Sequence, residues 1–215
     1  MPFPNIDYQA IAYYHADDDL LSGPRGMITL LCRLGLIHID EFNAIQNLAD
    51  LRNDILNRIN HYHNKDDLGS IFHRIQIWGG MTGRNIYVKG EGFVWEHVFP
   101  HYLQLVNTCL RIVDTSTESL QLLHDTACQF KDNVPNIGLS YTTKHLNFWL
   151  HRNLNDNALP IYDSILACHI MYKPAVREQD LVPYWNRMIL KAQQEGITLD
   201  ALENLLFNHY RPNNE

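Results

Sequence analysis

Between Phe42 and Tyr62 the apolar side chains return at nearly every third or fourth position: Phe42, Ile45, Leu48, Leu51, Ile55, Leu56, Ile59 and Tyr62. Those steps put them on one stripe of an α-helix, and such a stripe is stable only when buried against other elements. It reads as core rather than as a cofactor box. The same period recurs along most of the chain. Met27 to Gly35 reads as a short apolar helix, and Asp40 is placed to cap the long one. From Trp95 the stripe is Val98, Phe99, Tyr102, Leu105, Val106, Cys109 and Leu110. Thr115 and Glu118 fit a capping box for a helix through Leu120, Leu123, Ala127 and Phe130. Leu181 to Gln194 follows, with Pro183 early and Gly196 as C-terminal cap. Thr198 opens a last helix through Leu202, Leu205, Leu206 and Tyr210, and Asn213 and Asn214 read as a frayed tail.

Two stretches break this period. Tyr8 to Leu21 is aromatic and then acidic, ending at the breaker Ser22-Gly23-Pro24-Arg25-Gly26. In SIFHRIQIWGGMTGRNIYVKGEGFVWE, β-branched and aromatic residues alternate around glycines, which predicts a small β-hairpin or an extended loop near 70–95. The expected fold class is therefore mainly α, a helical bundle in a single globular unit spanning 1–215.

The chain has 215 residues, 46% of them hydrophobic and 19% charged, enough to bury a core without staples. Cys32, Cys109, Cys128 and Cys168 are scattered without a CxxC pair and read as reduced core thiols. No apolar run approaches the roughly 18 residues of a membrane span, and MPFPNIDYQA lacks the regions of a signal peptide. A soluble cytoplasmic protein is expected. The net charge of −7, from 17 basic and 24 acidic residues, runs against a nucleic-acid footprint. Residues 131–152 differ, with Lys131, Lys144 and Arg152 against Asp132 alone, and could form a small positive face.

Chemistry concentrates between Val134 and Tyr172. Lys144 lies in the first turns of a predicted helix among Tyr141, Leu146, Phe148 and Trp149, where desolvation can make an amine nucleophilic. Taken alone, a lysine reads better as a solvated helix residue. Asp163, 19 positions later, ends the extended approach Pro160-Ile161-Tyr162 and caps the next helix. A cap and a catalytic carboxylate both need to be ionised and fixed, so neither role excludes the other. Trp78-Gly79-Gly80-Met81-Thr82-Gly83-Arg84 is either a phosphate-gripping loop or a tight turn. Among twelve histidines, His97 and His101 share a helical face and His61 and His63 are two apart, but no H-E-x-x-H is present and no metal is expected. His124-Asp125 leaves a metal-dependent phosphohydrolase as a lesser alternative.

The lysine-bearing helical turn followed by P-x-x-D resembles the helix-hairpin-helix DNA glycosylases, closest to the 8-oxoguanine DNA glycosylase branch and its bacterial relatives. It covers roughly residues 115–175, with 1–110 and 176–215 as a flanking helical lobe. The resemblance implies a partner DNA carrying a damaged or modified base, and no cofactor. It implies that Lys144 attacks the sugar anomeric carbon and forms a Schiff base permitting strand cleavage, while Asp163 orients it and stabilises the oxocarbenium. The family's hairpin glycines stand just before the lysine; here Pro135-Asn136-Ile137-Gly138 lies further upstream. DNA contacts are accordingly expected from Gly138, from the hydroxyls of Ser140, Thr142 and Thr143, and from Gly80 and Arg84. Trp149 and Phe207 are the expected walls of a pocket for the flipped base. A non-catalytic helix-hairpin-helix module binding DNA or a protein partner is the alternative.

Overall fold

A computed structural model describes residues 3–9, 22–90, 92–173 and 175–210. Most of the aromatic-to-acidic stretch and the tail at Asn213 and Asn214 lie outside the described residues. Among those described, there are ten α-helices and no strand. They are α1 Ser22–Arg33, α2 Leu48–His61, α3 Lys65–Trp78, α4 Asn85–Val88, α5 Trp95–Cys109, α6 Thr117–Asn133, α7 Leu139–Leu154, α8 Ser164–Ile170, α9 Leu181–Glu195 and α10 Leu199–Tyr210. None is long and apolar enough to cross a membrane.

The largest correction concerns the expected hairpin near 70–95. Residues 65–78 are the helix α3, started by a capping box. Asn64 Oδ1 accepts from the backbone of Asp66 and Asp67, and Asp67 accepts in return from the backbone of Asn64. Its period is hidden because the helix is buried all round. Arg74 is completely enclosed, donating to Asp54 at 2.7 Å and Glu41 at 2.8 Å, and His73 and Gln76 are buried beside it. A 3-10 turn, Met81–Arg84, and the short α4 take up the glycine-rich continuation.

Other boundaries move by a few residues. The expected breaker at Ser22-Gly23-Pro24 is the first turn of α1, where proline's missing N–H costs nothing. α2 is capped by Asn47, whose side chain accepts from Asp50 N at 2.8 Å; Asp40 sits instead in a separate 3-10 turn, Ile39–Phe42. Ser116 rather than Thr115 caps α6. Gly196 ends α9 at φ 67°, the left-handed conformation that glycine tolerates. Of the cysteines only Cys109 is a buried thiol; Cys168 is exposed.

α7 is the central helix, packed by α2, α3, α5 and α6. A polar chain runs through that core. Trp149 Nε1 donates to Tyr102 OH at 2.8 Å, and the phenol lies 3.2 Å from His145 Nδ1. The Gln76 side-chain amide meets His145 Nε2 at 3.0 Å. A neutral imidazole has one donor and one acceptor. With the Gln76 amide N–H donating to Nε2, Nδ1–H donates to the phenol oxygen, and Gln76 Oε1 is left as a buried acceptor without a hydrogen-bond partner.

Burial holds His73, His145 and His151 neutral, with pKa values pushed down to about 3. Their unfolded counterparts titrate near 6.5. Below that value the unfolded chain gains protons that the folded chain refuses, so stability falls with falling pH until about 3. Each histidine contributes at most about 1.4 kcal/mol per pH unit in that window. Thermal melts should therefore drop between pH 7 and 5, before most carboxylates titrate. A flat melting temperature over that range would contradict neutral buried histidines.

Candidate active site

The approach to Asp163 is an extended, buried segment, 158–162, whose backbone groups need partners that no helix provides. Side chains supply them. Asn147 Nδ2 donates to Leu159 O, Trp185 Nε1 to Pro160 O and Tyr184 OH to Ile161 O. Ile161 N donates to Glu203 Oε1 at 2.8 Å, and Tyr162 N to Thr143 Oγ1 at 3.1 Å. Thus α7, α9 and α10 together fix where α8 begins. Asp163 stands there as expected, its Oδ1 accepting from Leu166 N at 2.9 Å.

Lys144 and Asp163 line one cleft of about 240 Å³, with Glu203, Ser140, Trp78 and Phe207 among its walls. That is on the order of eight water volumes, room for one flat heterocycle. Lys144 lies two turns into α7 and is half-buried on the cleft wall. Its Nζ donates to Ser140 Oγ at 3.1 Å and lies 4.8 Å from the centre of the Tyr141 ring. Burial pushes its pKa below the ordinary lysine value, while the charges of Asp163 and Glu203 pull the other way without cancelling the shift. An amine so placed loses its proton more readily than one in water, and two carboxylates face it. That arrangement can attack an electrophilic carbon and stabilise the cation that forms.

The other anticipated residues divide. Phe207 is a cleft wall, and Ser140 faces the lysine. Trp149 is not in the cleft: it is fully buried, edge-on to Tyr62, and belongs to the core. Thr142 and Thr143 are buried too, turned inward onto Gly138 O and Ser140 O. They hold chain rather than reach outward. Gly138 is exposed, and a Cβ there would meet nothing within 4 Å. Arg84 is exposed but does not line the cleft, and Gly80 is buried. The anticipated positive face is weakened, since Lys131 pairs with Asp132 at 2.6 Å and Glu178 at 2.9 Å. Arg152 lies over the Tyr62 ring.

Glu203 and Trp78 were not anticipated. The signal for Glu203 was a charge on the apolar face of α10, one turn from Leu199 and Leu206. The glycines of 79–83 serve packing. A Cβ on Gly79 would lie 2.4 Å from the Tyr141 ring, and one on Gly83 would lie 2.6 Å from it. Tyr141 OH in turn donates to Gly79 O at 2.6 Å, and the Thr82 hydroxyl lies 2.8 Å from it. Gly79→Ala is therefore expected to cost about 1–3 kcal/mol by overpacking. Because Gly79 and Thr82 rim the cleft, it should also reduce whatever the cleft binds. Denaturant melts and ligand titration of this variant check both effects.

Among the described residues no group of three or more His, Cys, Asp or Glu is placed to hold a metal. His124 and Asp125 pair at 2.9 Å on an open face of α6, away from the cleft. Compared with family models, curated proteins and solved structures, the chain finds no match.

Proposed function

We propose that this chain excises a damaged or modified base from DNA, as a glycosylase with lyase activity of the helix-hairpin-helix, 8-oxoguanine type. The observation that carries the reading is the amine of Lys144, with its lowered pKa, sharing a cleft of about 240 Å³ with Asp163. In this reading α6, the turn 134–138 and α7 are the DNA-facing hairpin, with exposed Gly138 its closest approach.

The target nucleotide turns out of the stack into the cleft, because its anomeric carbon is otherwise out of reach. As the C1′–N bond breaks, the base leaves with the bonding pair and takes up a proton. Asp163 stabilises the positive charge growing on the sugar. Neutral Lys144 forms the new C1′–N bond, and its proton passes to solvent. Ring opening gives the Schiff base, from which loss of a C2′ proton expels the 3′ phosphate. Phe207 and Trp78 offer aromatic faces to the base. Glu203 accepts hydrogen bonds, and a carboxylate has room for several donors. That favours a base edge carrying adjacent N–H groups, as guanine and 8-oxoguanine do.

Borohydride trapping on a panel of lesion-bearing oligonucleotides tests the reading. An adduct is expected, and its rate should rise with pH, levelling off at a pKa below the roughly 10.4 of a free lysine. The sign follows from the lysine: only the neutral amine attacks, and burial lets the proton go at lower pH. DNA binding without any adduct would leave the non-catalytic alternative instead.

A further inference from the structure

Beyond the cleft mouth, the same two helices carry a second aromatic feature. Ile165 on α8 and Phe207 on α10 line the cleft. About one turn further along each helix, His169 and Tyr210 stack face to face, ring centres 3.9 Å apart and planes within 3°. His169 is exposed, while Tyr210, stacked against it, is half-buried. Tyr172 follows at φ 55°, a left-handed conformation that is strained for a bulky residue, with the Arg187 guanidinium 5.8 Å from its ring. Two aromatic rings thus lie one helical turn beyond the cleft walls Ile165 and Phe207.

We propose that His169, backed by Tyr210, is a stacking ledge for the nucleobase next to the one in the cleft, which makes an unpaired DNA strand the preferred substrate. The inference rests on the excision reading. A neighbour in a duplex stays stacked on its own strand and cannot lie on a protein ring; a base in a single strand can. The charge supports the same choice. With a net charge of −7 and Lys131 neutralised by its own neighbours, the chain has little to offer a duplex through phosphate contacts. Stacking on aromatic rings is the contact that suits single strands whatever their sequence.

The test is fluorescence anisotropy with one labelled oligonucleotide carrying a tetrahydrofuran abasic analogue, used single-stranded and annealed to its complement. The wild-type protein should favour the single strand. His169→Ala should weaken single-strand binding about tenfold or more, leave duplex binding unchanged and melt like the wild type. His169→Phe should restore the preference, which a merely structural role for this exposed ring would not predict. Equal binding of the single strand by wild type and His169→Ala, or a wild-type preference for duplex, overturns the ledge. The excision reading is judged separately, by borohydride trapping through Lys144. A protein that binds neither oligonucleotide overturns the ledge outright.

Discussion

Lys144→Gln is expected to abolish the borohydride-trapped adduct and to lower base release by at least about 10³-fold, as removal of an attacking group does elsewhere. Glutamine keeps much of the length of the side chain and can still reach the Ser140 hydroxyl that the amine now contacts at 3.1 Å. The fold should survive, and the direction of any stability change can be derived. In the folded chain burial lowers the lysine pKa, so the unfolded chain holds that proton more tightly. Between the two pKa values, and at all lower pH, the charged lysine disfavours folding. At neutral pH the variant should therefore melt at or above the wild-type temperature. Loss of adduct together with a large drop in melting temperature would assign Lys144 to the scaffold. Undiminished trapping would remove it from the chemistry.

Trp149→Ala should show the opposite pattern. The indole is fully buried, packs edge-on against Tyr62 at 5.1 Å and donates to Tyr102 OH at 2.8 Å. Truncating a buried tryptophan costs roughly 3–5 kcal/mol. Tyr102 also loses its donor, in the chain that links it to His145 and Gln76. At about 2–4 °C per kcal/mol for a chain of this size, the melting temperature should fall by roughly 6–20 °C. Where the variant remains folded, the Lys144 adduct should still form, because the indole does not line the cleft. A base-pocket wall would behave the other way, losing excision while keeping stability. Chemical denaturation and trapping on the same preparation separate the two.

Helices were legible in the sequence wherever one face is apolar and the other wet. α5, α6, α9 and α10 lie close to where the three- and four-residue spacing put them, and Asp163 is the N-cap that its extended approach implied. α3 was not legible. Its buried polar residues His73, Arg74 and Gln76 have partners on α2, α4, α7 and the turn at Ile39–Phe42, and without those partners their burial has no reason to exist. The glycines of 79–83 carried a similar ambiguity. Gly79 and Gly83 let the Tyr141 ring approach from about 60 residues away, and Gly80 adopts φ 75°, neither of which a local pattern records.

The sequence by itself determined the helical class and the cap at Asp163, because periodicity and capping are local properties; the lysine was picked out only by resemblance. Only the tertiary structure decided that the two share a cleft. That depends on Thr143, Asn147, Tyr184, Trp185 and Glu203 satisfying the backbone of an extended segment between them. It also decided which aromatic rings are walls and which are core. Trp149 and Phe207 look alike in a sequence, and what separates them is only which side of its helix each ring leaves from and what packs there.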